Sequence, residues 1–252
     1  MIPRYELKYW CHESEWTQFS SILSGLLEAD SNQGSKGSYC VTSLYFDSSD
    51  YRYFFEKIEG LRRRVKIRLR RYESNQDGFL ELKEKKNRRI LKRRIPVTAE
   101  MLKAFTHNDW TELSTLCEEN QSACDVQREL SLARPHPVVV IRYERAAFFF
   151  RDDPLIRVTV DRQLCCRGDD LADAFLSPNI QMDALAHADM DRNAILEVKT
   201  SGPVPGIIAS ALRETGLTRR SISKYCLCVA KSDQLPPTYR QLQRQLLMSF
   251  GH

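Results

Sequence analysis

The stretch Arg64-Val65-Lys66-Ile67-Arg68-Leu69-Arg70-Arg71-Tyr72 alternates in character at nearly every step. Lys66, Arg68 and Arg70 fall in one set, and Val65, Ile67 and Leu69 in the other. A period of two sends successive side chains to opposite faces of a strand, so this strand has one cationic and one apolar face. The polar run Ser74-Asn75-Gln76-Asp77-Gly78 follows, and its Asp-Gly marks a hairpin. Beyond it Glu81, Lys83 and Lys85 alternate with Leu80 and Leu82. The same pattern recurs outward along the chain. Arg4, Glu6 and Lys8 alternate with Tyr5, Leu7 and Tyr9; Lys92 and Arg94 stand in the set opposite Ile95 and Val97. Tyr143 and Arg145 share a face, Arg157, Thr159 and Asp161 alternate with Ile156, Val158 and Val160, and Glu197 and Lys199 alternate with Leu196 and Val198.

In a sheet with one wet face, charged residues simply point to solvent, and that accounts for any one of these strands. Two features of the whole set point inward instead. The polar faces are rich in Arg and Lys with isolated Glu, not a neutral mixture, and the apolar faces need a cover that helices can supply. Like charges crowded on one wall repel unless an anion neutralises them. The expectation is an α+β fold: an antiparallel β-barrel tunnel with a polar, basic lumen, flanked by helices, the lumen holding a chain of phosphates. Arg suits this work because its planar fork holds phosphate oxygens by two hydrogen bonds. Glu6, Glu81 and Glu197 need a cation in such a lumen. Neighbouring Lys and Arg supply one, and so does a divalent metal that also touches phosphate.

Strands are expected at residues 4–10, 39–46, 63–72, 78–86, 92–97, 138–150, 156–164, 195–200 and 223–229. Helices are expected at 13–27 with Ser14 as N-cap, at 99–107, at 109–119 and at 207–214, closed by Gly216. Residues 31–38 read as a polar loop. A final helix after Pro236-Pro237, over 236–250, packs on the outside of a single domain spanning 1–252. With 42% hydrophobic and 28% charged residues the chain can bury a core. A net charge of +5 says less about partners than the clustering of the basic residues does. No apolar leader follows Met1 and no run approaches the about 20 residues of a membrane helix, so a cytoplasmic location is expected, with a membrane partner left open. The 8 cysteines, with Cys165 and Cys166 adjacent and Cys226-x-Cys228, do not have zinc-site spacing and read as reduced packing residues. His12, His107, His136, His187 and His252 stand outside every charged motif and read as surface or packing residues.

In order along the chain, Arg4-Tyr5-Glu6-Leu7-Lys8-Tyr9-Trp10, Ser43-Leu44-Tyr45-Phe46-Asp47, Lys66-Ile67-Arg68-Leu69-Arg70-Arg71-Tyr72, Leu80-Glu81-Leu82-Lys83, Tyr143-Glu144-Arg145, Leu196-Glu197-Val198-Lys199 and Ser223-Lys224-Tyr225 resemble the VTC domain. That domain is the catalytic module of the vacuolar transporter chaperone complex, with stand-alone bacterial relatives in the triphosphate tunnel metalloenzyme superfamily. The resemblance implies a tunnel that binds nucleoside triphosphate and transfers the γ-phosphate onto a growing polyphosphate chain, helped by Mn²⁺ or Mg²⁺. It implies that Lys8, Arg68, Arg70, Lys83, Tyr143, Arg145 and Lys224 contact phosphate and that Glu197 holds the metal. Glu6 and Glu81 are the further carboxylates for a metal, and Lys66, Lys85, Lys92, Arg94, Arg157 and Lys199 extend the basic lining.

Two departures stand out. Arg4 takes the place of the first of two glutamates that open the wider superfamily, which weakens a second metal site and argues against a two-metal hydrolase. Ser221 stands where a basic residue is expected three positions before Lys224, with Arg219 and Arg220 as substitutes. A terminal phosphate acceptor is already anionic and needs no general base, in keeping with the histidine placement. The rival readings are a metal-dependent hydrolase of inorganic or organic triphosphates and a non-catalytic polyphosphate-binding module. ATP cyclisation stays open as well. Nucleic acid is disfavoured, because Tyr72 and Phe79 alone make a poor stacking platform and a closed tunnel excludes a duplex.

Overall fold

The computed structural model describes residues 5–73, 76–87, 89–185 and 194–248. The expectations at Arg4, Ser74, Asn75, His187, His252 and the last residues of the C-terminal helix lie outside them. The strands are β1 (Tyr5–Cys11), β2 (Leu27–Ala29), β3 (Tyr39–Asp47), β4 (Arg63–Tyr72), β5 (Gly78–Lys86), β6 (Arg89–Val97), β7 (His136–Phe150), β8 (Asp153–Arg167), β9 (Asp183–Ala184) and β10 (Ala194–Thr200). All pair antiparallel in the order β1-β10-β8-β7-β3-β4-β5-β6, with β2 added to β7 and β9 to β8. The register aligns the charged set into rows: Lys66 opposite Lys83 and Lys83 opposite Lys92, Arg68 opposite Glu81 and Glu81 opposite Arg94.

Strand pairing does not join the two ends of this path. The sheet curls far enough that Lys83 on β5 meets Glu6 on β1 at 3.0 Å. The segment 219–223 occupies the seam. Arg220 N–H donates to the Lys8 carbonyl at 2.8 Å, Tyr9 bridges to Arg219, and Lys66 Nζ donates to Ser223 Oγ at 2.9 Å.

The helices are α1 (Glu13–Ile22), α2 (Arg52–Ile58), α3 (Ala99–Thr106), α4 (Thr111–Cys117), α5 (Gln121–Ala133), α6 (Leu171–Leu176), α7 (Gly206–Glu214), α8 (Lys224–Lys231) and α9 (Arg240–Met248). Outside the barrel, Val65, Ile67, Leu69, Leu80, Leu82, Ile95 and Val97 pack with Met101, Leu102 and Phe105 of α3 and Val126 of α5. Tyr9, Val158, Val160, Leu196 and Val198 pack with Trp16 and Phe19 of α1 and Ile208 and Ala211 of α7. The apolar set therefore faces the helices and the charged set faces in.

Residues 223–229 form helix α8, not a strand. Ser223 accepts from the Cys226 N–H at 3.3 Å as N-cap, and the residues from Tyr225 to Ala230 are buried all round, so no alternating pattern is required of them. This helix fills one end of the barrel on the side of β3, β7, β8 and β10 and leaves the Arg64 and Lys85 side of β4 and β5 open. Tyr45, Val139, Ile141 and Ile195, of the inward parity, cluster there with Tyr225, Cys228 and Val229. The inward set is thus charged only over the part of the barrel that the helix leaves empty. Helix α9 lies over α8, with Gln243 Nε2 donating to the Ala230 carbonyl at 2.7 Å. The first helix is shorter than its periodicity suggested. It ends at Ile22, Gly25 turns at φ +76°, and the chain enters β2. Its N-cap is His12, whose N–H donates to Glu15 at 2.7 Å, not Ser14. The loop at 31–38 contains a 3₁₀ segment, Ser31–Lys36. All eight cysteines are free thiols, and among the described residues no helix is long and apolar enough to cross a membrane.

Candidate functional site

The centre of the lumen is organised by Glu81. Arg68 Nη2 lies 2.6 Å from it, Lys92 Nζ 2.7 Å, Arg94 Nε 3.1 Å and Arg70 Nη1 3.9 Å. Burial opposes ionisation of this carboxyl, yet Arg68, Arg70 and Lys92 hold it well below the usual carboxylate range. β3 fixes the two arginines: Arg68 Nη1 donates to Tyr45 Oη at 2.7 Å and Arg70 Nε to Ser43 Oγ at 3.3 Å. From β7, Tyr143 Oη accepts from Arg70 Nη2 at 3.3 Å.

A second group sits on the facing wall. Arg145 grips Asp161 with two hydrogen bonds, 2.6 and 2.7 Å, and Lys224, the first residue of α8, reaches the same carboxylate at 2.5 Å. Glu6 contacts Lys8 at 3.1 Å and Lys83 at 3.0 Å, and Glu197 contacts Lys199 at 3.0 Å. Burial disfavours the charge on Glu197, but Lys199 and Lys8 hold it well below its ordinary value, and the Glu6 and Glu197 carboxyls are close enough to influence each other's titration. Burial also disfavours the charge on Lys8, which Glu197 and Glu6 nevertheless keep well above the usual lysine range.

Other cations have no carboxylate at ion-pair distance among the described residues. Lys66 is one: burial, Lys8 and Lys83 push its ammonium down to about 8. Lys85 is lowered by burial and by Arg64 and Lys83, and Lys57 by burial and by Arg64 and Lys8. Lys57 Nζ donates to Ser221 Oγ at 2.9 Å. The positive charge beside Ser221 therefore comes from helix α2, which the alternation reading did not include, while Arg219 sits near Lys85. Burial raises the Tyr45 phenol, yet Arg68, Lys66 and Arg70 bring it down to about 8.

Lys8, Lys66, Arg68, Arg70, Lys83, Lys92, Arg94, Tyr143, Arg145, Lys199 and Lys224 come together in the lumen, with Glu6, Glu81 and Glu197. Lys85 lies toward one end. Arg157 lies toward the other, 2.7 Å from Asp30. Sequence reasoning assigned no role to Tyr45, Ser43, Asp161 or Asp47. The first three carried the signal of inward parity. Asp47 is structural. It accepts the N–H groups of Tyr53 (2.8 Å) and Phe54 (2.9 Å) and the Tyr225 hydroxyl, tying α2 and α8 to β3. Nothing in a strand-based reading pointed to Lys57.

Among the described residues no cluster of three or more metal-ligating side chains occurs. The adjacent carboxylates Glu6 and Glu197 are the pair that fits a divalent ion. Oε1 of Glu197 is buried and its 3.0 Å contact with Lys199 lacks hydrogen-bond geometry, as do the contacts of Glu81 Oε1. Among the described residues, however, Glu197 has one lysine at ion-pair distance where Glu81 has four cations. Two carboxylates suit an ion whose shell is completed by water and phosphate oxygens. Glu81 is enclosed by cations, which a metal there would have to displace.

Comparison with known proteins adds three findings. The chain is 23% identical over 185 residues to vacuolar transporter chaperone complex subunit 4 of Schizosaccharomyces pombe, covering 64% of this chain but only 26% of that protein. It resembles the crystal structure of a putative adenylate cyclase from Bacillus halodurans, at 12% identity and a TM-score of 0.51, over 88% of this chain and 96% of that one. At that identity the likeness concerns the fold. The family model described as the VTC domain matches residues 3–232, nearly the whole of this barrel and its helices, and the chain belongs to the VTC domain family.

Proposed function

We propose that the chain is a nucleoside-triphosphate-dependent polyphosphate polymerase that transfers the γ-phosphate to a growing polyphosphate chain. One observation carries this reading: the lumen gathers more cations than its carboxylates neutralise, and Lys66 is held there against burial with Ser223 as its only side-chain hydrogen-bond partner among the described residues. Such an arrangement costs free energy when empty and becomes favourable when an anion enters. Membership of the VTC domain family and the tunnel-like fold support a phosphate chain as that anion.

Phosphoryl transfer requires of the protein mainly positioning and charge stabilisation. In this reading Arg68, Arg70, Arg145, Lys8, Lys83 and Lys224 hold the triphosphate, and Tyr143 steadies Arg70. Glu197 and Glu6 would hold Mn²⁺ or Mg²⁺, which when bound supplies charge neutralisation at the transferred group. The acceptor chain approaches past Arg64, Lys85 and Lys57, half-buried cations that have no carboxylate at ion-pair distance among the described residues. In this reading the protein works in the cytoplasm, beside a membrane-bound partner that takes up the product.

The test is incubation of the purified chain with ATP and Mn²⁺, products being resolved by length on a gel. A phosphate ladder that disappears in Lys83→Ala and Glu197→Gln is the expected result. Release of orthophosphate alone would replace the polymerase with a hydrolase. Tight triphosphate binding without turnover would replace it with a binding module.

A further inference from the structure

Helices α4 and α5 are joined by Glu118, Glu119 and Asn120. The turn is held by Asn120, whose N–H donates to the Leu116 carbonyl at 3.0 Å and whose side chain caps α5 by accepting from the Ser122 N–H at 2.9 Å. It brings together two thiols seven residues apart in the chain. Cys124 Sγ donates to the Cys117 carbonyl at 3.0 Å, and Cys117 Sγ donates to Gln127 Oε1 at 2.8 Å. Gln127 Nε2 donates in turn to Ser114 Oγ at 2.7 Å, which holds the two helices together at this point. Both thiols are half-buried. Burial, and then the neighbouring Cys124 thiol, raise the Cys117 thiol above its ordinary value.

The other cysteines are placed differently. Cys11, Cys166, Cys226 and Cys228 are buried. Cys166 Sγ lies 4.0 Å from the Cys228 carbonyl, but neither thiol is open to solvent. Cys40 and Cys165 are half-buried on β3 and β8, with β7 between them. Two strand spacings amount to about 9–10 Å, beyond the reach of a disulfide. Cys117 and Cys124 alone combine adjacency with access.

We propose that Cys117 and Cys124 form a site of reversible disulfide modification, closed by a peroxide and reopened by a thiol reductant. One thiolate takes an oxygen from hydrogen peroxide, giving a sulfenic acid and, after protonation, water. The second thiol attacks that sulfur and expels a second water. Two S–H bonds are lost, one S–S bond forms, and one peroxide is reduced to two waters. A raised thiol is a scarce thiolate at neutral pH, so closure is slow and answers sustained oxidation.

The site stands behind the lumen wall. Asp125, next to Cys124, pairs with Arg93 of β6, and Lys92 and Arg94 on either side of Arg93 reach Glu81. Leu113, Ala123 and Val126 of the two helices pack with the outward side chains of β4, β5 and β6. A bond between Cys117 and Cys124 therefore fastens the support of the strand that ends the barrel path.

The experiment treats the full chain with hydrogen peroxide, blocks free thiols by alkylation and maps tryptic peptides by mass spectrometry without reduction. Residues 104–128 form one tryptic peptide that carries both cysteines. It is expected unalkylated and two hydrogens lighter than the reduced peptide, while Cys166 and Cys228 stay reduced. Oxidation should raise Tm by about 2–8 °C. The rise should vanish with dithiothreitol and be absent from Cys117→Ser and Cys124→Ser. The wild-type map decides the assignment whether or not those variants fold. Alkylation of both cysteines after peroxide, sulfinic acid in place of the disulfide, or the same Tm rise in both serine variants would overturn the proposal.

Discussion

Replacing Lys66 by methionine should make the empty protein more stable and its complex with triphosphate weaker. The ammonium is pushed from its ordinary value of 10.5 down to about 8 by burial and by Lys8 and Lys83. A displacement of that size corresponds to about 3 kcal/mol against the charged form. The side chain keeps some solvent access, so a gain of about 1–3 kcal/mol is expected in Lys66→Met, which keeps a chain of similar length in place. For a domain of this size that is about 2–4 °C in Tm per kcal/mol.

The sign follows from proton linkage. Below about pH 8 both states bind the proton and the burial cost is present in full. Between about 8 and 10.5 the folded state has lost the proton and the unfolded state has not, so wild-type stability climbs toward that of the variant. With inorganic triphosphate bound the order reverses. A lost charge-assisted contact costs about 1.5–3 kcal/mol, or roughly 10- to 100-fold in affinity, and the ligand-induced rise in Tm shrinks accordingly. Calorimetric melting at pH 7 and pH 10, with and without inorganic triphosphate, measures all of this. A lower Tm for the empty variant at pH 7, or an undiminished ligand-induced rise, would refute the argument that Lys66 is an unneutralised phosphate-binding cation.

Two further perturbations probe the same lumen. Lys66, Lys92 and Tyr45 are each displaced to about 8, so raising the pH from 7 to 9 removes positive charge at two of them and adds negative charge at the third. Triphosphate affinity should fall by up to about tenfold per group for each pH unit above 8, and a flat binding profile over that range would contradict the assignment. Glu81→Gln leaves Arg68, Arg70, Lys92 and Arg94 facing one another around a neutral amide. It should destabilise the empty protein by about 3–5 kcal/mol in urea unfolding, partly recovered by added triphosphate. A variant as stable as the wild type would show that Glu81 is not the hub of the cationic set.

The sequence by itself determined which side of each strand is charged. Alternation is a local property, and the strands at 63–72 and 78–86 have the bounds it implied. It also determined that the lumen is rich in cations, because Arg and Lys occupy the inward parity on strand after strand. Tertiary structure alone decided how those charges are shared. Among the described residues Glu81 is paired with groups from β4 and β6, Asp161 with Arg145 and with Lys224 from a helix, and Lys66 with no carboxylate. No spacing along the chain encodes those groupings, since each depends on register between strands far apart in sequence. Only the fold could show that 223–229 is a helix. Its residues are buried on every side, and that removes the periodic signal by which a helix and a strand are told apart. The same packing brings Lys57 to Ser221 from an element with no alternating pattern. Charge clusters of this kind arise when a sheet curls, and curvature is a property of the assembled strands.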